Sequence, residues 1–360
     1  MKIVFDSLVF ALHKYGGVTT YWNEFIKRFK RSQDELIILT VPASKYLNEE
    51  FVELVKRSVG TIPEKRLPLQ LLRNSSVGVP SIKSRFIFHS TYLRVSSSKH
   101  AINIVTIHDF THQYFVKGIK QRLNDHQKKQ AIKNSHALVC ISQNTLKDLF
   151  HFFPEAKNKT VRVIYNGCSA IYLDPTPSEP VVNVSAPYIV FVGARGNYKN
   201  FSFVLDVLSK SSYHLVVAGS KFTEEESTLI SELKDRVTLL QNVTDEKIKS
   251  VYQHAHAFIY PSLYEGFGIP ILEAMNCGCP VIAFNNSCIP EIMGNSPLLL
   301  ENNDLLKTLD ILEKLKFGHY RESIISLQKE QARKFSWDKA FGEMKSLYEE
   351  MVELNPVQDR

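Results

Sequence analysis

The most constraining feature of this sequence is the stretch from Phe258 to Pro280, which reads FIYPSLYEGFGIPILEAMNCGCP. An apolar run ends at Pro261, a loop with two glycines follows, and a second apolar run starts with Pro270 at the expected first position of a helix. Proline suits that position because its missing N–H would be unpaired there, and Gly278 suits the far end, where a left-handed residue commonly closes the last turn. The stretch therefore predicts a strand, a glycine loop and a helix, in that order.

A glycine loop at the start of a helix is a natural anion site. Free backbone N–H groups and the positive end of the helix dipole meet there, and phosphate is a common occupant. Glu265 lies in the loop and Glu273 in the first part of the helix, so we expect both side chains to face one crevice. This arrangement suits a ligand that has phosphates in the middle and hydroxyl groups at both ends.

Two basic residues follow another predicted strand, the buried pattern PYIVFVG over residues 187–193. Arg195 and Lys199 both lie between this strand and the helix that is predicted to run to about Leu208. A fixed guanidinium fork and a flexible ammonium group at such a position can hold a diphosphate from two sides. We therefore predict that these two side chains contribute to the same anion site.

The length and the order of elements indicate two domains. A chain of 360 residues is long for one core. Strands and helices alternate in both halves, which predicts two doubly wound parallel sheets with a cleft between them. The predicted division is a first domain over 1–170, a proline-rich linker over 171–187, a second domain over 188–338 and a last helix over 339–360.

The excess of positive over negative charge is confined to the first half of the chain. Residues 1–180 hold 26 Lys and Arg against 14 Asp and Glu, net +12, and residues 181–360 hold 18 against 23, net −5. We expect a surface that attracts anionic lipid or a diphosphate-bearing acceptor. Nucleic acid is not expected, since no basic run with interleaved aromatic residues is present. The basic residues form two clusters, one at Lys27, Arg28, Lys30 and Arg31, the other at Lys117, Lys120, Arg122, Lys128, Lys129 and Lys133.

Composition excludes several other classes. The five cysteines are odd in number and lack the paired spacing of zinc sites, so we interpret them as buried apolar residues. No apolar stretch is long enough to span a bilayer, and the first residues read as a strand rather than as a signal peptide. We therefore expect a cytoplasmic protein, with peripheral contact to the inner face of the membrane through its basic half.

The central stretch also carries a family resemblance. Its segment EGFGIPILE (265–273), followed by AM and then by GCPVI (278–282), closely resembles the E-x7-E signature of retaining glycosyltransferases with the GT-B fold, glycosyltransferase family 4. The resemblance extends over most of 187–340 and reaches 1–170 by topology and a few short motifs. It implies an α/β GT-B fold, in which two Rossmann-like domains with doubly wound parallel sheets face each other across a cleft. The first domain would lie on the acceptor side, the second would bind the nucleotide sugar, and the last helix would pack back on the first.

The resemblance implies a reaction and its substrates. A hexose would move, with retention of anomeric configuration, from a nucleoside-diphosphate sugar to a saccharide or lipid-linked saccharide acceptor. UDP-glucose, UDP-N-acetylglucosamine and GDP-mannose all remain open as donors. The chain contains no Asp-x-Asp, the usual metal-holding signature of the other major glycosyltransferase fold, which agrees with a metal-independent site without a cofactor.

Roles for the second half also follow from the resemblance. Glu273 would bind the ribose hydroxyls, and Glu265 with the loop backbone would hold the hexose, while it stays open whether Glu265 also acts chemically. Arg195 and Lys199 would neutralise the departing diphosphate together with the helix N–H groups. Further contacts to the donor are expected from Gly266, Phe267, Gly268, Ile269, Ile271, Leu272, Asn242 and Val243.

In the first half the resemblance points to two short motifs. Gly16 and Gly17 lie where the family has a glycine loop after its first strand, and they would contact donor or acceptor. His108, in the segment TIHD at the end of a predicted strand, matches a family histidine that faces the transferred sugar or the acceptor. Two alternatives remain open: a non-catalytic subunit that binds sugar nucleotides, and a sugar-nucleotide epimerase on the same fold.

Overall fold

The structure is a computed structural model that describes residues 1–41, 48–56, 60–63, 69–73, 75–79, 81–301 and 303–356. Its internal contacts divide the chain into two units. The first unit contains Met1–Asn166 together with the chain from Trp337 onward, and the second contains Gly167–Ser336. Each unit has its own parallel sheet.

The first unit is built on a seven-stranded sheet with the order β3-β2-β1-β4-β5-β6-β7, in which every neighbouring pair is parallel. The central strands are buried along their whole length, as is typical of sheets that are covered on both faces. The strands are β1 (Lys2–Asp6), β2 (Glu35–Thr40), β3 (Gly60–Pro63), β4 (Phe86–Ser90), β5 (Ala101–Ile107), β6 (Ala137–Cys140) and β7 (Thr160–Val163).

Helices connect these strands, and the first connection departs from expectation. The sequence predicts a loop between β1 and the glycine pair, whereas residues Leu8–Leu12 form a short buried helix. Their apolar side chains pack into the core, which a solvated loop could not do. The helices of the first unit are α1 (Leu8–Leu12), α2 (Gly17–Arg31), α3 (Glu49–Lys56), α4 (Leu69–Leu72), α5 (Thr111–Phe115), α6 (Ile119–Asn134), α7 (Gln143–Phe152) and, from the end of the chain, α16 (Trp337–Leu354).

Helix α16 packs against α2 through aromatic side chains. Phe29 stacks on Tyr348 with ring centroids 5.4 Å apart and meets Phe341 edge-on at 4.8 Å. Arg28 of α2 also forms an ion pair with Asp338. These contacts explain why the last helix belongs to the first unit.

The second unit contains a six-stranded sheet with the order β10-β9-β8-β11-β12-β13, and its neighbouring pairs are again all parallel. The strands are β8 (Tyr188–Val192), β9 (His214–Ala218), β10 (Val237–Leu240), β11 (Ala257–Tyr260), β12 (Val281–Phe284) and β13 (Leu299–Leu300). The helices are α8 (Ala170–Leu173), α9 (Phe201–Ser209), α10 (Glu224–Leu229), α11 (Asp245–His254), α12 (Ile269–Asn276), α13 (Ile289–Met293), α14 (Leu305–Lys314) and α15 (Gly318–Ala332).

The predicted α/β class with two doubly wound parallel sheets is confirmed, and element ends shift by a few residues. Helix α12 begins at Ile269, so Pro270 is its second residue rather than its first. The sequence predicts a helix around Ala43–Ser58, and the structure has one over Glu49–Lys56; residues 42–47 and 57–59 lie outside the described residues. No helix in the described parts of the chain is long and apolar enough to cross a membrane.

The segment predicted as a linker, residues 171–187, begins inside α8, and its first part then lies against α11. Tyr172 is almost fully buried and donates a hydrogen bond to Asp245 at 3.1 Å. Lys249 forms an ion pair with Asp174 at 2.9 Å, and the hydroxyl of Ser250 donates to the carbonyl of Glu179. These bonds attach the proline-rich segment to the second unit.

Candidate active site

The predicted anion-binding residues of the second unit meet at one place in its sheet. After β8 the chain continues outward to β9 and β10, and it then returns to β11 on the other side of β8. Such a reversal of strand order leaves a crevice at the carboxyl ends of the two central strands, where open α/β sheets bind ligands. Arg195 and Lys199 follow β8, and Glu265 follows β11, so all three lie at this reversal.

Lys199 and Glu265 form an ion pair across the reversal. The Nζ atom of Lys199 lies 2.5 Å from a carboxylate oxygen of Glu265 and 3.4 Å from the hydroxyl of Tyr260. The two loops are also joined through the backbone, because the N–H of Leu263 donates to the carbonyl of Tyr198 at 2.7 Å. The structure thus brings together one predicted phosphate-binding cation and one predicted hexose-binding carboxylate.

Arg195 is bound to a residue that the sequence did not point to. Its Nε and Nη2 atoms lie 2.9 and 3.0 Å from the two carboxylate oxygens of Glu226, and Nη2 also donates to the carbonyls of Ser220 and Lys221. The side chain is only 2% exposed. Its Nη1 atom is buried and has no hydrogen-bond partner among the described residues. The guanidinium is therefore fixed through Nε and Nη2, while the buried Nη1 is unused.

The charge state of Glu226 follows from this pairing. Partial burial pushes the pKa of its carboxyl upward, but the hydrogen bond from Arg195, the hydrogen bond from the backbone of Thr223 and the positive charge of Arg195 together leave the pKa below its ordinary value. Glu226 also accepts a bond from the backbone N–H of Thr223, so it belongs to a capping box at the start of α10. The carboxylate is thus rigidly placed beside the guanidinium.

Gly219, which directly follows β9, is required by the close approach of this cluster. A Cβ atom at this position would lie 2.7 Å from the carbonyl oxygen of Gly193 and 3.0 Å from Nη1 of Arg195. Real Cβ atoms do not approach backbone so closely, and therefore any side chain here would displace the loop that carries Arg195. The fixed position of the guanidinium depends on this glycine.

The loop between β11 and α12 is held from below by two residues that precede α13. The hydroxyl oxygen of Ser287 accepts from the N–H of Glu265 at 2.9 Å. The buried thiol of Cys288 donates to the carbonyls of Glu265 and Phe267, at 3.2 and 3.0 Å. Neither contact could be anticipated, because a serine and a cysteine twenty residues downstream carry no local pattern that marks them. Cys288 is buried, as expected, but it also positions the loop.

The loop itself ends in a left-handed residue. Gly268 has a φ of 100°, and a Cβ atom added to it would lie 3.2 Å from the side chain of Ile271. Any other residue at this position would therefore be strained. The N–H of Ile271 donates to the carbonyl of Gly268 at 3.0 Å and is therefore already used inside the turn. Phe267, Ile269, Ile271 and Leu272 point into the core with 6% exposure or less, so only their backbone could meet a ligand.

Glu273 has different neighbours from Glu265. It lies on α12 close enough to Asp245, Tyr172 and Tyr252 to influence their ionisation. Desolvation, with a smaller contribution from the negative charge of Asp245, raises the pKa of Glu273 to about 8. This carboxyl group is therefore largely protonated at neutral pH, and it can donate as well as accept a hydrogen bond.

Asn242 and Val243 lie at the same edge of the sheet but two strands away. They follow β10, which pairs with β9 and not with β8. Asn242 is exposed and has φ of 49°. Their predicted contact to the donor stays a prediction.

In the first unit, His108 follows β5 and borders a cavity of about 560 Å³. Burial lowers the pKa of His108 to about 4, so its ring is neutral at pH 7, and the ring meets Tyr21 edge-on at 4.9 Å. Gly16 and Gly17 lie at the start of α2, and the neighbouring Val18 is among the cavity's lining residues. Other polar side chains around the cavity are those of His13, Arg73, Thr91, Tyr92, Thr106, Asp109, His112, Asn124 and Lys128.

Lys128 is a second residue that the structure adds to this site. Its Nζ atom donates to the carbonyl of Asp109 at 2.6 Å and to the side chain of Gln113 at 2.7 Å, and it lies 4.2 Å from the ring centre of Phe110. Desolvation lowers its pKa to about 8. The sequence showed Lys128 only as one member of a basic cluster, whereas it is buried in the wall of the cavity.

The chain matches two sequence families along most of its length. Residues 15–170 match the family described as Glycosyltransferase Family 4, and residues 176–326 match Glycosyl transferases group 1. Among solved structures, a glycosyltransferase from Rickettsia africae ESF-5 is similar with a TM-score of 0.74 at 18% identity, over 98% of this chain and 99% of that one. Anabaena Alr3699/HepE in complex with UDP and glucose is similar with a TM-score of 0.71 at 15% identity, over 96% of this chain and 99% of the other. Both likenesses concern the fold.

Proteins with a similar sequence point to the same family. The O-antigen chain mannosyltransferase B of Escherichia coli is 27% identical over 68% of this chain and 67% of its own. The uncharacterized glycosyltransferase MJ1178 of Methanocaldococcus jannaschii is 26% identical over 98% of this chain and 99% of its own. The consecutive family matches, these relatives and the two parallel sheets lead to one conclusion: the chain is a glycosyltransferase of family 4 with the GT-B fold.

Proposed function

We propose that this protein is a retaining mannosyltransferase that transfers mannose from GDP-mannose to a saccharide or lipid-linked saccharide acceptor, without a metal ion. The observation that carries the proposal is the Lys199–Glu265 ion pair at the strand-order reversal, beside the loop of the family motif. Mannose is favoured over the other donor sugars because two of the relatives, from Escherichia coli and Salmonella typhimurium, are named as O-antigen chain mannosyltransferases. The fold neighbour Alr3699/HepE binds UDP and glucose, which keeps UDP-glucose as the competing donor.

The leaving diphosphate needs positive charge, which the second unit supplies. Lys199 is held in place by Glu265, so its flexible chain does not have to be ordered when the donor binds. Arg195 has its unused Nη1 atom, and the first amides of α12 add the positive end of a helix dipole. Preorganised charges of this kind are worth several kcal/mol in a transition state where charge moves onto the leaving group.

The two glutamates bind hydroxyl groups in different charge states. The Glu265 carboxylate, paired with Lys199, accepts hydrogen bonds from the hexose hydroxyls. Glu273, whose pKa is raised to about 8 by burial, donates to one ribose hydroxyl and accepts from the other. Because Glu273 is neutral, it adds no negative charge to a site that must hold a diphosphate.

In this proposal the acceptor hydroxyl attacks the anomeric carbon from the face that the diphosphate leaves. The bond from that carbon to the phosphate oxygen breaks, the bond to the acceptor oxygen forms, and the leaving oxygen takes the acceptor proton. The anomeric configuration is therefore retained. His108, neutral and beside the cavity of the first unit, orients the acceptor or the sugar through a ring nitrogen.

The donor assignment is tested by thermal shift of the purified protein against GDP-mannose, UDP-glucose and UDP-N-acetylglucosamine. A ligand at one hundred times its Kd stabilises the folded protein by about 2.7 kcal/mol. We expect the largest shift with GDP-mannose and its loss in Lys199→Ala, whereas Lys210→Ala, an exposed lysine at the far end of α9, should behave as wild type. A larger shift with UDP-glucose would contradict the mannose assignment, and an unchanged shift in Lys199→Ala would contradict the site.

Catalysis is tested separately from binding. Lys199→Ala should lower transfer, or hydrolysis of the donor, by at least about 100-fold while leaving the protein folded. EDTA should leave the rate unchanged, and NMR of the product should show the α anomer of the donor sugar preserved. Binding of GDP-mannose with neither transfer nor hydrolysis under any condition would favour a non-catalytic subunit, and loss of activity in EDTA that manganese restores would refute the metal-free mechanism.

A further inference from the structure

Four large apolar side chains are exposed around the junction of α5 and α6. Tyr114 is 46% exposed, Phe115 43%, Ile119 76% and Leu123 59%. Ile119 and Leu123 are four residues apart on α6 and therefore lie on one side of the helix. Exposed apolar residues that cluster in this way, rather than occurring singly, mark surfaces that bind a protein or a membrane. We refer to these four residues as the α5–α6 surface.

Basic residues surround this surface, and their charge is not neutralised. Residues 111–134 contain six Lys or Arg and a single acidic residue, Asp125. Except for Lys128, the basic side chains are exposed, and none of them forms an ion pair with any residue in the described ranges. They are Lys117, Lys120, Arg122, Lys129 and Lys133.

The other basic cluster of the first unit is different. Lys27 pairs with Glu24 and Glu50, and Arg28 pairs with Glu24 and Asp338. Two of the four cations of that cluster are therefore compensated by acidic residues of the protein, and Lys30 donates to the backbone carbonyl of Leu54. Of the two clusters predicted from the sequence, only the one on α6 combines uncompensated charge with exposed apolar side chains.

Hydrogen bonds attach this surface to the rest of the unit. The side-chain amide of Gln113 on α5 donates to Asn124 at 3.0 Å and to Asp125 at 2.6 Å, both on α6. The hydroxyl of Tyr114 donates to Asp148 of α7 at 2.8 Å. The short helix is thus attached to its neighbours, and the exposed side chains are presented by fixed backbone.

The inner side of α6 forms part of the cavity that contains His108. Asn124 and Lys128 line that cavity, and Lys128 contacts the backbone of Asp109. One helix therefore carries apolar and basic residues outward and cavity-lining residues inward. A molecule held in a membrane beneath the exposed side would lie next to the wall of the cavity.

We propose that the α5–α6 surface docks on a bilayer of anionic lipid, with Ile119 and Leu123 entering the interface and the surrounding basic residues contacting headgroups. We choose an anionic bilayer as the partner because its negative headgroups complement the basic residues, and each Lys or Arg near an anionic leaflet strengthens binding about fivefold. One consequence of docking rests on the proposed function: a lipid-linked acceptor would reach the first unit at α6. Docking itself requires no sugar transfer.

The test is co-flotation of the full-length protein with vesicles, without nucleotide sugar. One set is phosphatidylcholine alone and the other an equimolar mixture with phosphatidylglycerol. We expect binding to the mixed vesicles that weakens with added salt, and little binding to phosphatidylcholine. The double variant Ile119→Ser/Leu123→Ser should bind at least about tenfold more weakly, since it removes two apolar side chains from the interface.

A matched control is available in the second unit. Leu229 and Leu306 are 60% and 80% exposed, much like Leu123 and Ile119, so Leu229→Ser/Leu306→Ser should bind vesicles as wild type. Equal binding by all three proteins, or no binding to anionic vesicles, would overturn the proposal. A wild-type dimer that the Ile119→Ser/Leu123→Ser change dissociates, with vesicle binding unaltered, would overturn it in favour of self-association.

The thermal shift with GDP-mannose, measured without vesicles, should be the same in both variants. A failure of docking can therefore be distinguished from a failure of the donor assignment.

Discussion

Arg195 and Glu226 form the most tightly enclosed charge pair of the candidate site. The guanidinium is held by a carboxylate and by two backbone carbonyls, while Nη1 has no partner among the described residues. The proposed function gives Arg195 a bound diphosphate as a further partner, which the buried Nη1 atom meets only if the side chain shifts. If this is its role, weakening the pair from the Glu226 side should make the protein depend more strongly on the ligand.

Glu226→Gln should therefore lower the stability of the free protein by about 1.5–3 kcal/mol, because a buried cation loses its charged partner. The carbonyls of Ser220 and Lys221 still hold the guanidinium, so the diphosphate then meets an uncompensated charge. We expect the Tm increase produced by GDP to be larger in Glu226→Gln than in wild type. Glu224→Gln, in the same exposed first turn of α10, is the control, and an equal GDP effect in all three proteins would show that Arg195 does not meet the diphosphate.

The raised pKa of Glu273 gives a prediction about pH. In the unfolded chain this carboxyl has a pKa of about 4.5, and in the folded protein about 8. The folded state thus holds the proton more tightly, so this stabilisation is complete below about pH 4.5 and is lost as the pH rises through 8. Glu273→Gln removes this dependence, and its Tm relative to wild type should increase between about pH 5 and about pH 9. A flat difference would contradict the shift, and Glu322→Gln at an exposed position is the control variant.

Which of these residues the sequence reveals depends on the distance between partners. Glu265, Glu273 and Lys199 were predicted because each belongs to a local pattern of strand, loop and helix. Glu226 lies 31 residues from Arg195, and its only local signal is the capping-box sequence that starts at Thr223. That signal locates the start of α10 beside the end of β9, but it does not show which cation the glutamate meets.

At the scale of elements, buried polar contacts decide how α16 is attached to the first unit. Tyr348 of α16 contacts Nδ1 of His89 on β4 at 2.6 Å, and Nε2 of the same ring contacts Thr106 of β5 at 2.9 Å. Burial lowers the pKa of His89 to about 3, so the neutral ring donates with one nitrogen and accepts with the other. Thr106 in turn borders the cavity and contacts the hydroxyl of Tyr21 at 3.1 Å.

Tyr348→Phe should destabilise the protein by about 1–3 kcal/mol, because one nitrogen of His89 is left buried without a partner. Urea unfolding measures the change. Tyr15→Phe, which alters a side chain that is 65% exposed, should have an effect below about 0.5 kcal/mol. If both variants unfold at the same urea concentration as wild type, the Tyr348–His89 contact does not hold α16 in place.

The elements themselves were predictable to different degrees. Strands such as β8 were predicted within a residue or two, because a buried run between glycine and proline admits few alternatives. Helix α1 was missed, since five apolar residues after a strand have no helical period of their own and are helical only because the core accepts them. The ends of α12 shifted because Pro270 is tolerated at the first or the second position of a helix.

At the scale of the molecule, alternating strands and helices predicted both parallel sheets, since that pattern leaves little choice of architecture. The sequence could not show how charge is compensated in three dimensions. Two basic clusters of the first half look alike as sequence, yet Lys27 and Arg28 have acidic partners and the exposed residues of α6 have none in the described chain. Only the positions of acidic side chains in the folded protein distinguish a cluster with ion-pair partners from a cluster that is available for docking.

The division into two units predicts where a nucleoside diphosphate acts. The loops after β8 and β11 belong to the second unit, whereas His108 and its cavity belong to the first. GDP should therefore slow amide hydrogen exchange most in residues 193–200 and 262–273, since bound phosphate covers the loop before α12 and fixes the loop of Lys199. The Lys199→Ala variant, measured with the same GDP concentration, should lose this protection, and Lys210→Ala should keep it. Strongest protection in residues 106–128 instead would place the diphosphate beside His108 and refute the assignment of the two sites.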